Sequence, residues 1–187
     1  MTVAPSTDAR FQALFDTHHK GIHAYCLRRL PTEDANDAAS DVFLVAWRRS
    51  SDVPENDEAL MWLYGVARNI VRNRQRAARR QVRLGARTRS IAPEAKEGPE
   101  TQVIRSEEQA EVLRAMQSLN EADQELLGLK VWECLSNDAI GTILGISHRA
   151  VEGRYSRALK KLTKQLERGH SATRRSPLSA DKRETTT

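Results

Sequence analysis

The sequence predicts an all-α protein made of two small helical domains joined by a flexible linker. In several segments of the 187-residue chain, apolar residues recur at steps of three and four, as on the buried side of an amphipathic helix. No segment has the alternation of apolar and polar residues that indicates a strand. Over residues 84–106 the helical period fades, and two glycines and two prolines occur among charged and small residues, which indicates a linker.

The first two predicted helices lie on either side of Pro31, which stops the first one. The first has an apolar side formed by Phe11, Leu14, Phe15, His18, Ile22, Tyr25 and Cys26. The second runs from residue 32 or 34 to residue 49, with an apolar stripe of Ala35, Ala39, Val42, Phe43, Ala46 and Trp47. Its other face carries three acids, Asp34, Asp37 and Asp41, so we expect an amphipathic helix.

Residues 50–56 are predicted to form a loop, because they contain serines, Pro54 and Asn56. Asn56 or Asp57 can cap the helix that follows, which we expect from residue 58 to about residue 83. One side of this third helix is apolar and contains Trp62, Leu63, Val66, Ala67 and Ile70. Another side has arginines at intervals of four, namely Arg68, Arg72, Arg76 and Arg80.

The second half of the chain contains the sharpest local pattern, a helix-turn-helix over residues 135–155. Two helices are expected before it, one over residues 107–119 and one that begins at Asn120. Ser136 then caps a short helix in which Ile140, Ile143 and Leu144 face inward, and Gly141 leaves room for close packing. Gly145 makes the turn with a left-handed backbone, and Ser147 caps the second helix.

This second helix, from His148 to about residue 162, separates packing residues from charged ones. Those expected to pack are Val151, Tyr155, Leu159 and Leu162, and those expected to face outward are Arg149, Glu152, Arg154, Arg157, Lys160 and Lys161. In a DNA-binding helix-turn-helix, the N-terminal part of this helix meets base edges in the major groove. Arg149, Glu152 and Arg154 are therefore candidates for base readout, and Arg157 and the lysines for phosphate contacts. A plain helical hairpin with a solvated charged face is the alternative.

Charge is segregated along the chain, whose formal net charge is +5. Residues 31–58 contain eight acids and two bases, whereas residues 59–93 contain nine arginines and no acid. Residues 145–175 contain nine bases and two acids. Two basic blocks suggest two contacts with nucleic acid, and an acidic face on a basic protein suits a protein partner.

Other classes of protein fit the sequence less well. Cys26 and Cys134 stand alone without C-x-x-C spacing, so we expect no disulfide framework or zinc ribbon and interpret both as small core residues. His19, His23 and Cys26 share one helix face and could hold zinc, but no fourth ligand is evident. We expect no enzyme, no cofactor and no metal. The start of the chain lacks a basic segment followed by an apolar one, which predicts a cytoplasmic protein without membrane insertion.

The order of these features resembles that of the extracytoplasmic-function (ECF) sigma factors of bacterial RNA polymerase. The matching segments are residues 34–49, residues 62–76, and the helix-turn-helix with its ending at residues 157–162. The resemblance covers residues 10 to 168. It implies sigma domain two over residues 10–83, a linker over 84–106 and sigma domain four over 107–168. The remaining residues, 169–187, are rich in Ser, Thr, Arg and Pro and have almost nothing to bury, which predicts a disordered tail.

The resemblance also implies partners and site residues. Domain two would bind core RNA polymerase through Asp34, Asp37, Asp41 and Arg48. It would recognise and open the minus-ten promoter element through Ser50, Ser51, Asp52, Asn56, Asn69, Arg72, Asn73, Arg76 and Arg80. Domain four would read minus-thirty-five duplex DNA through Ser147, His148, Arg149, Glu152, Gly153, Arg154, Arg157 and Lys160. An anti-sigma factor is the further partner implied.

The chain departs from the family pattern at a few positions. The family usually has Glu or Gln near Ser40 and Asp41, and Glu at the position of Ala139. These differences concern individual polymerase contacts and one helix cap. The alternative function is that of a stand-alone helix-turn-helix regulator, which would leave the acidic helix and the arginine helix without a role.

Overall fold

The computed structural model describes residues 7–88 and 107–174, with side chains over 8–83 and 110–168. In this part of the chain there are α-helices, one 3-10 turn at Ser50–Asp52 and no strand. The helices are α1 Thr7–Leu27, α2 Thr32–Arg48, α3 Asp57–Thr88, α4 Glu107–Gln117, α5 Glu121–Val131, α6 Asn137–Leu144 and α7 His148–Arg174. Within these ranges no helix has both the length and the apolar content needed to cross a membrane.

Helices α1, α2 and α3 pack together as the first region. Ile22 and Tyr25 of α1, Val42 of α2 and Leu63 of α3 are fully buried where the helices meet. The α2 surface at this contact is largely alanine, since Ala35, Ala38, Ala39 and Ala46 are all buried. Small side chains allow the helix axes to approach closely, so three helices of modest hydrophobicity enclose a dense core.

The first region differs from the sequence prediction at its edges. Trp47 was expected in the core but is 45% exposed, and its ring meets the edge of Phe11 at 4.9 Å between centroids. On α3 the buried side includes Tyr64 and Val71, so the apolar side lies slightly further round the helix than predicted. The helix also continues to Thr88, five residues beyond the predicted end.

Helices α4 to α7 form the second region and include the predicted helix-turn-helix. Asn120 Oδ1 caps α5 by accepting from the Asp123 amide at 2.9 Å, and Ser136 Oγ caps α6 by accepting from Ala139 at 3.1 Å. Gly145 ends α6 with φ +68°, the left-handed conformation that glycine adopts readily. A Cβ on Gly141 would lie 2.7 Å from the Ile146 carbonyl oxygen, so this glycine makes room for the turn.

Two predictions about the second region were wrong. Leu159 was expected to pack but is 43% exposed, and Ala158 occupies the buried position instead. Cys134 was interpreted as a core residue but is exposed, in the α5–α6 connection with φ +52°. It lies outside any helical period, so its apolar character alone gave no information about burial. Helix α7 reaches Arg174, while the predicted linker beyond residue 88 and the tail beyond residue 174 lie outside the described residues.

The two regions pack directly against each other. Leu126 and Leu129 of α5 and Ile140 of α6 belong to the same buried cluster as the core of α1 to α3. At the edge of this contact, Glu133 is 3% exposed and accepts from Arg28 at 2.5 Å and, more weakly, from Arg29 at 3.5 Å. The division into two helical regions is confirmed, but they share a core that the sequence did not reveal.

Candidate nucleic-acid and polymerase interfaces

The three acids of α2 surround one arginine of α3. Arg74 Nη2 lies 2.6 Å from Asp41 Oδ2, and its Nη1 lies 3.8 Å from Asp34 and 3.9 Å from Asp37. One cation cannot neutralise three carboxylates, and about half or more of each acid side chain stays exposed. The face therefore keeps surplus negative charge. Arg48, the remaining predicted polymerase contact, is exposed at the C-terminal end of α2.

Sequence reasoning missed Arg74. It lies two residues from Arg72 and Arg76, so it is out of phase with the row of arginines at four-residue intervals. That phase turns it toward α2. The acids and Arg74 could have been matched only with knowledge of how α2 and α3 pack.

The loop between α2 and α3 is held by its own charged side chains. Arg49 Nε donates to Asp52 Oδ2 at 2.8 Å, and Ser51 Oγ donates weakly to Asp52 Oδ1 at 3.3 Å. The hydrogen bond from Arg49 lowers the pKa of Asp52. Asn56 closes the loop with φ +55°, a left-handed conformation that asparagine tolerates better than most residues. The predicted loop is thus ordered around an ion pair.

A cavity of about 480 Å³ lies between this loop and α1. Its lining includes Ser50, Val53 and Asn56 from the loop segment and Phe11, Leu14 and His18 from α1. Arg10 Nη2 donates to the Val53 carbonyl at 2.7 Å and ties the two walls together, while burial lowers the pKa of His18. The cavity is large enough for a planar aromatic ring with polar edges. Sequence reasoning did not include the α1 residues, whose helical spacing suggested only packing.

The predicted row on α3 is partly exposed and partly turned toward the second region. Asn69, Asn73, Arg76 and Arg80 are exposed, whereas Arg72 is half-buried and lines a second cavity between the regions. Among the described side chains, Arg74 and Arg79 are the α3 arginines that form ion pairs. Arg76 and Arg80 keep their charge available to an anionic partner.

The start of α7 is exposed and carries an organised polar cluster. Ser147 Oγ accepts from the Ala150 amide at 3.3 Å. His148 Nδ1 lies 2.8 Å from Asp138 Oδ1, and its Nε2 lies 3.3 Å from Glu152 Oε1. The hydrogen bond to Asp138, supported by Glu152, raises the pKa of His148. The contact with His148 therefore holds the Glu152 carboxylate on the part of α7 that the sequence predicts for base readout.

The other residues predicted for this surface vary in exposure. Arg149, Arg157 and Lys160 are exposed, whereas Gly153 and Arg154 are half-buried. A Cβ on Gly153 would lie 3.4 Å from Arg157 Nη1, so the glycine lets that guanidinium lie along the helix. The eight residues thus lie along one segment of α7 and its cap, six of them exposed, whereas Arg154, expected to face outward, and Gly153 are half-buried.

The zinc alternative meets a geometric obstacle. Cys26 is fully buried in the core, and burial raises the pKa of its thiol to about 11. The His19 ring packs on Phe15 and Phe43, and His23 Nε2 is hydrogen-bonded to Asn36 Oδ1 at 2.7 Å. In the described part of the chain no three potential ligands converge on a metal position.

Two family models match the two regions. The Sigma-70 region 2 model matches residues 14–81, and the Sigma-70 region 4 model matches residues 109–162. The first match covers the acidic face, the loop and the arginine row. The second covers α5, the helix-turn-helix and most of α4.

Curated proteins and solved structures of similar sequence or shape agree with these matches. The RNA polymerase sigma factor NccH of Alcaligenes xylosoxydans xylosoxydans is 31% identical over 143 residues, which cover 74% of this chain and 76% of NccH. The ECF RNA polymerase sigma factor SigL of Mycobacterium tuberculosis is 26% identical over 161 residues, covering 85% of this chain and 90% of SigL. The sigma factor RpoE of Bartonella quintana, solved with the anti-sigma factor NepR, has a similar fold, with a TM-score of 0.64 at 18% identity over 84% of this chain and 97% of RpoE.

Proposed function

Because this chain belongs to the ECF sigma factors of bacterial RNA polymerase, which act in transcription initiation, we propose that it recognises promoters through two separate surfaces. One is the loop and arginine row of the first region, and the other is the start of α7. The proposal assigns the minus-ten element to the first surface and the minus-thirty-five element to the second. The domain limits at residues 10–83 and 107–168 are part of the same proposal.

The minus-ten assignment is supported by the cavity beside the loop. Extrusion of a base from the duplex costs a few kcal/mol of unstacking, so an opened base needs a place that offsets this cost. The cavity offers aromatic and aliphatic walls at Phe11 and Leu14 and polar edges at Ser50 and Asn56. Arg76 and Arg80 would hold the phosphates of the opened strand. Ser51, Asp52, Asn69, Arg72 and Asn73 complete the proposed surface.

The minus-thirty-five assignment is supported by the exposed N-terminus of α7. Arg149 is unobstructed and can form a bidentate contact with a guanine, which discriminates between bases by about 1–3 kcal/mol. Glu152, held by His148, can accept a hydrogen bond from a cytosine amino group. Arg157 and Lys160 lie further along the helix and suit phosphate contacts.

The proposed polymerase contact is the acidic face of α2 with Arg48. A surplus of carboxylates repels DNA and attracts a basic protein surface, so this face suits the core enzyme. An anti-sigma factor is a second proposed partner, since the similar RpoE structure was solved with one. We place the protein in the cytoplasm with the polymerase. In this proposal it supplies binding free energy and no covalent chemistry, and it needs no cofactor.

The observation that carries the proposal is the cavity between the loop at residues 50–56 and α1. The acidic face of α2 adds a second surface, which suits a protein partner. The test is reconstitution of the full chain with core RNA polymerase, followed by sequencing of the transcripts made from genomic DNA. Initiation at a defined set of promoters is expected. Specific DNA binding without association with polymerase would favour a stand-alone regulator and contradict the proposal.

A further inference from the structure

A second cavity, of about 340 Å³, lies where the two regions meet. It is surrounded by side chains of α1, the α1–α2 connection, α3, α4 and α5, and by Trp132, which directly follows α5. Five of its lining residues are arginines and two are glutamates. The arginines are Arg28, Arg29, Arg68, Arg72 and Arg79, and the glutamates are Glu121 and Glu125. The lining therefore has an excess of three positive charges.

Only some of these arginines are neutralised by the chain itself. Arg29 pairs with Glu125, and Arg28 pairs with Glu133 just outside the lining. Arg79 pairs with Glu121. Within the described residues, Arg68 and Arg72 form no ion pair. Both are half-buried, and they lie one helical turn apart on α3.

Two guanidinium nitrogens in this wall have no acceptor among the residues that the structure describes. The Nε atoms of Arg28 and Arg68 are buried without a hydrogen-bond partner. A buried donor without an acceptor destabilises the fold, and in native proteins nearly all such groups are satisfied by protein, water or a bound ion. An anion in the cavity would supply the acceptor.

The rest of the lining is apolar or amide in character. Val71, Leu113, Met116 and Trp132 provide apolar surface, and the amides belong to Gln75, Gln117 and Gln124. A pocket with a charged end, an apolar wall and a few hydrogen-bonding groups is typical of sites for small organic ligands. The cavity volume is sufficient for a phosphate group attached to a ring system.

We propose that this cavity binds a small organic phosphate, whose phosphate group lies between Arg68 and Arg72. Residues one helical turn apart present neighbouring side chains, and two guanidinium groups can bind one phosphate through several charge-assisted hydrogen bonds. The ligand contacts both regions, so its binding stabilises the arrangement in which they are packed together. The site is independent of the promoter surfaces except for Arg72.

Isothermal titration calorimetry of the full chain with pyrophosphate, adenosine diphosphate and adenosine tests this proposal without polymerase or promoter DNA. Saturable binding of both phosphates is expected, with none for adenosine. Tighter binding of adenosine diphosphate than of pyrophosphate would indicate that the ring contacts the apolar wall. Equal affinity would indicate that the phosphate groups supply the affinity while the cavity still accepts an organic phosphate. Either result supports the proposal.

Three variants that each lower the net charge by one distinguish the cavity from general attraction. Arg68→Ala and Gln117→Glu change its lining, whereas Arg83→Ala removes an exposed arginine of α3 outside it. We expect the first two to raise Kd about tenfold and the third to change Kd less than about twofold. Gln117 is exposed, so we expect Gln117→Glu to fold. If circular dichroism shows that Arg68→Ala does not fold, the comparison of Gln117→Glu with Arg83→Ala is used instead.

Three results would overturn the proposal. The first is a lack of saturation when the wild-type chain is titrated to about millimolar ligand, the weak end of specific binding. The second is a loss of affinity in Arg83→Ala as large as that in Arg68→Ala. The third is competitive displacement of adenosine diphosphate by single-stranded DNA, which would identify the phosphates bound at this site as those of DNA.

Discussion

Tyr25 Oη in α1 donates a 2.7 Å hydrogen bond to Glu125 Oε1 in α5, across the contact between the two regions. Arg29 closes the cluster, because its Nε lies 3.0 Å from Glu125 Oε2 and its guanidinium lies 3.6 Å from the centre of the Tyr25 ring. Burial, reinforced by the Glu125 carboxylate, raises the pKa of Tyr25 well above its usual value. The phenol therefore stays a neutral donor, and the Glu125 carboxylate accepts from both Tyr25 and Arg29.

Tyr25→Phe should destabilise the protein while leaving its helices intact. The substitution removes one donor from a partly buried carboxylate, and a hydrogen bond to a charged group contributes about 1.5–3 kcal/mol. Urea denaturation measures the change in the free energy of unfolding. Tyr155→Phe is the matched control, since Tyr155 is half-buried in α7 and forms no hydrogen bond within the described residues. Equal losses in the two variants would mean that the Tyr25–Glu125 bond adds nothing to stability.

Three glycine-to-alanine substitutions should rank in a fixed order. At Gly65 no atom beyond the adjacent residues and backbone of α3 lies within 4 Å of the position that an alanine methyl group would take, so Gly65→Ala should stabilise α3 by about 0.5–1 kcal/mol. Gly145→Ala should lower the free energy of unfolding by about 1–2 kcal/mol, because the φ of +68° at this position is strained for alanine. Gly141→Ala should lower the free energy of unfolding further, because the new methyl group would lie 2.7 Å from the Ile146 carbonyl oxygen and the backbone would have to move. Thermal unfolding gives the ranking, and a destabilising Gly65→Ala would contradict this interpretation of the helix.

The sequence was sufficient for the helices and their caps because those signals are local. Ser136 and Gly145 act on residues within one turn, and each has the predicted role. Asn120, predicted as the start of its helix, caps α5. Helical period likewise identified Ile22, Val42 and Leu63 as core residues. The helical period identifies the centre of the buried side of a helix better than the edges of that side. Trp47 and Leu159 lie at the edges of their apolar stripes, and both are exposed.

The contacts between regions could not be predicted from the same signals. The sequence places Tyr25 on the apolar side of the first helix and assigns no role to Arg29, Glu125 or Glu133. Nothing in the spacing of these residues pairs them, because about a hundred positions separate the partners. The cavity with Arg68 and Arg72 arises from that same packing, so it too became visible only with the structure.

The pKa of His148 should depend on Asp138. The imidazole gains hydrogen bonds to Asp138 and Glu152 in the folded state, which raises its pKa above the usual value of 6.5. Protonation therefore stabilises the helix-turn-helix fully at pH values below about 6.5, and this contribution is lost as the pH rises through the folded-state pKa. NMR titration of the histidine ring should show a lower pKa for His148 in Asp138→Asn. His18, whose pKa burial lowers, serves as the internal control and should not move; an unchanged His148 would refute the coupling.

Substitutions in the two proposed promoter surfaces should impair different steps. Arg149→Ala removes an exposed guanidinium at the start of α7, so affinity for the upstream duplex should fall by about 1–3 kcal/mol, or roughly five- to 150-fold. Asn73→Ala, on the exposed face of α3, should leave duplex affinity unchanged and reduce strand opening. Electrophoretic mobility shift measures the first property in the reconstituted holoenzyme, and permanganate reactivity of unpaired thymines measures the second. Lys20→Ala, an exposed change on α1, should affect neither. Parallel loss of both properties in Arg149→Ala and Asn73→Ala would show that the surfaces do not divide recognition and opening between them.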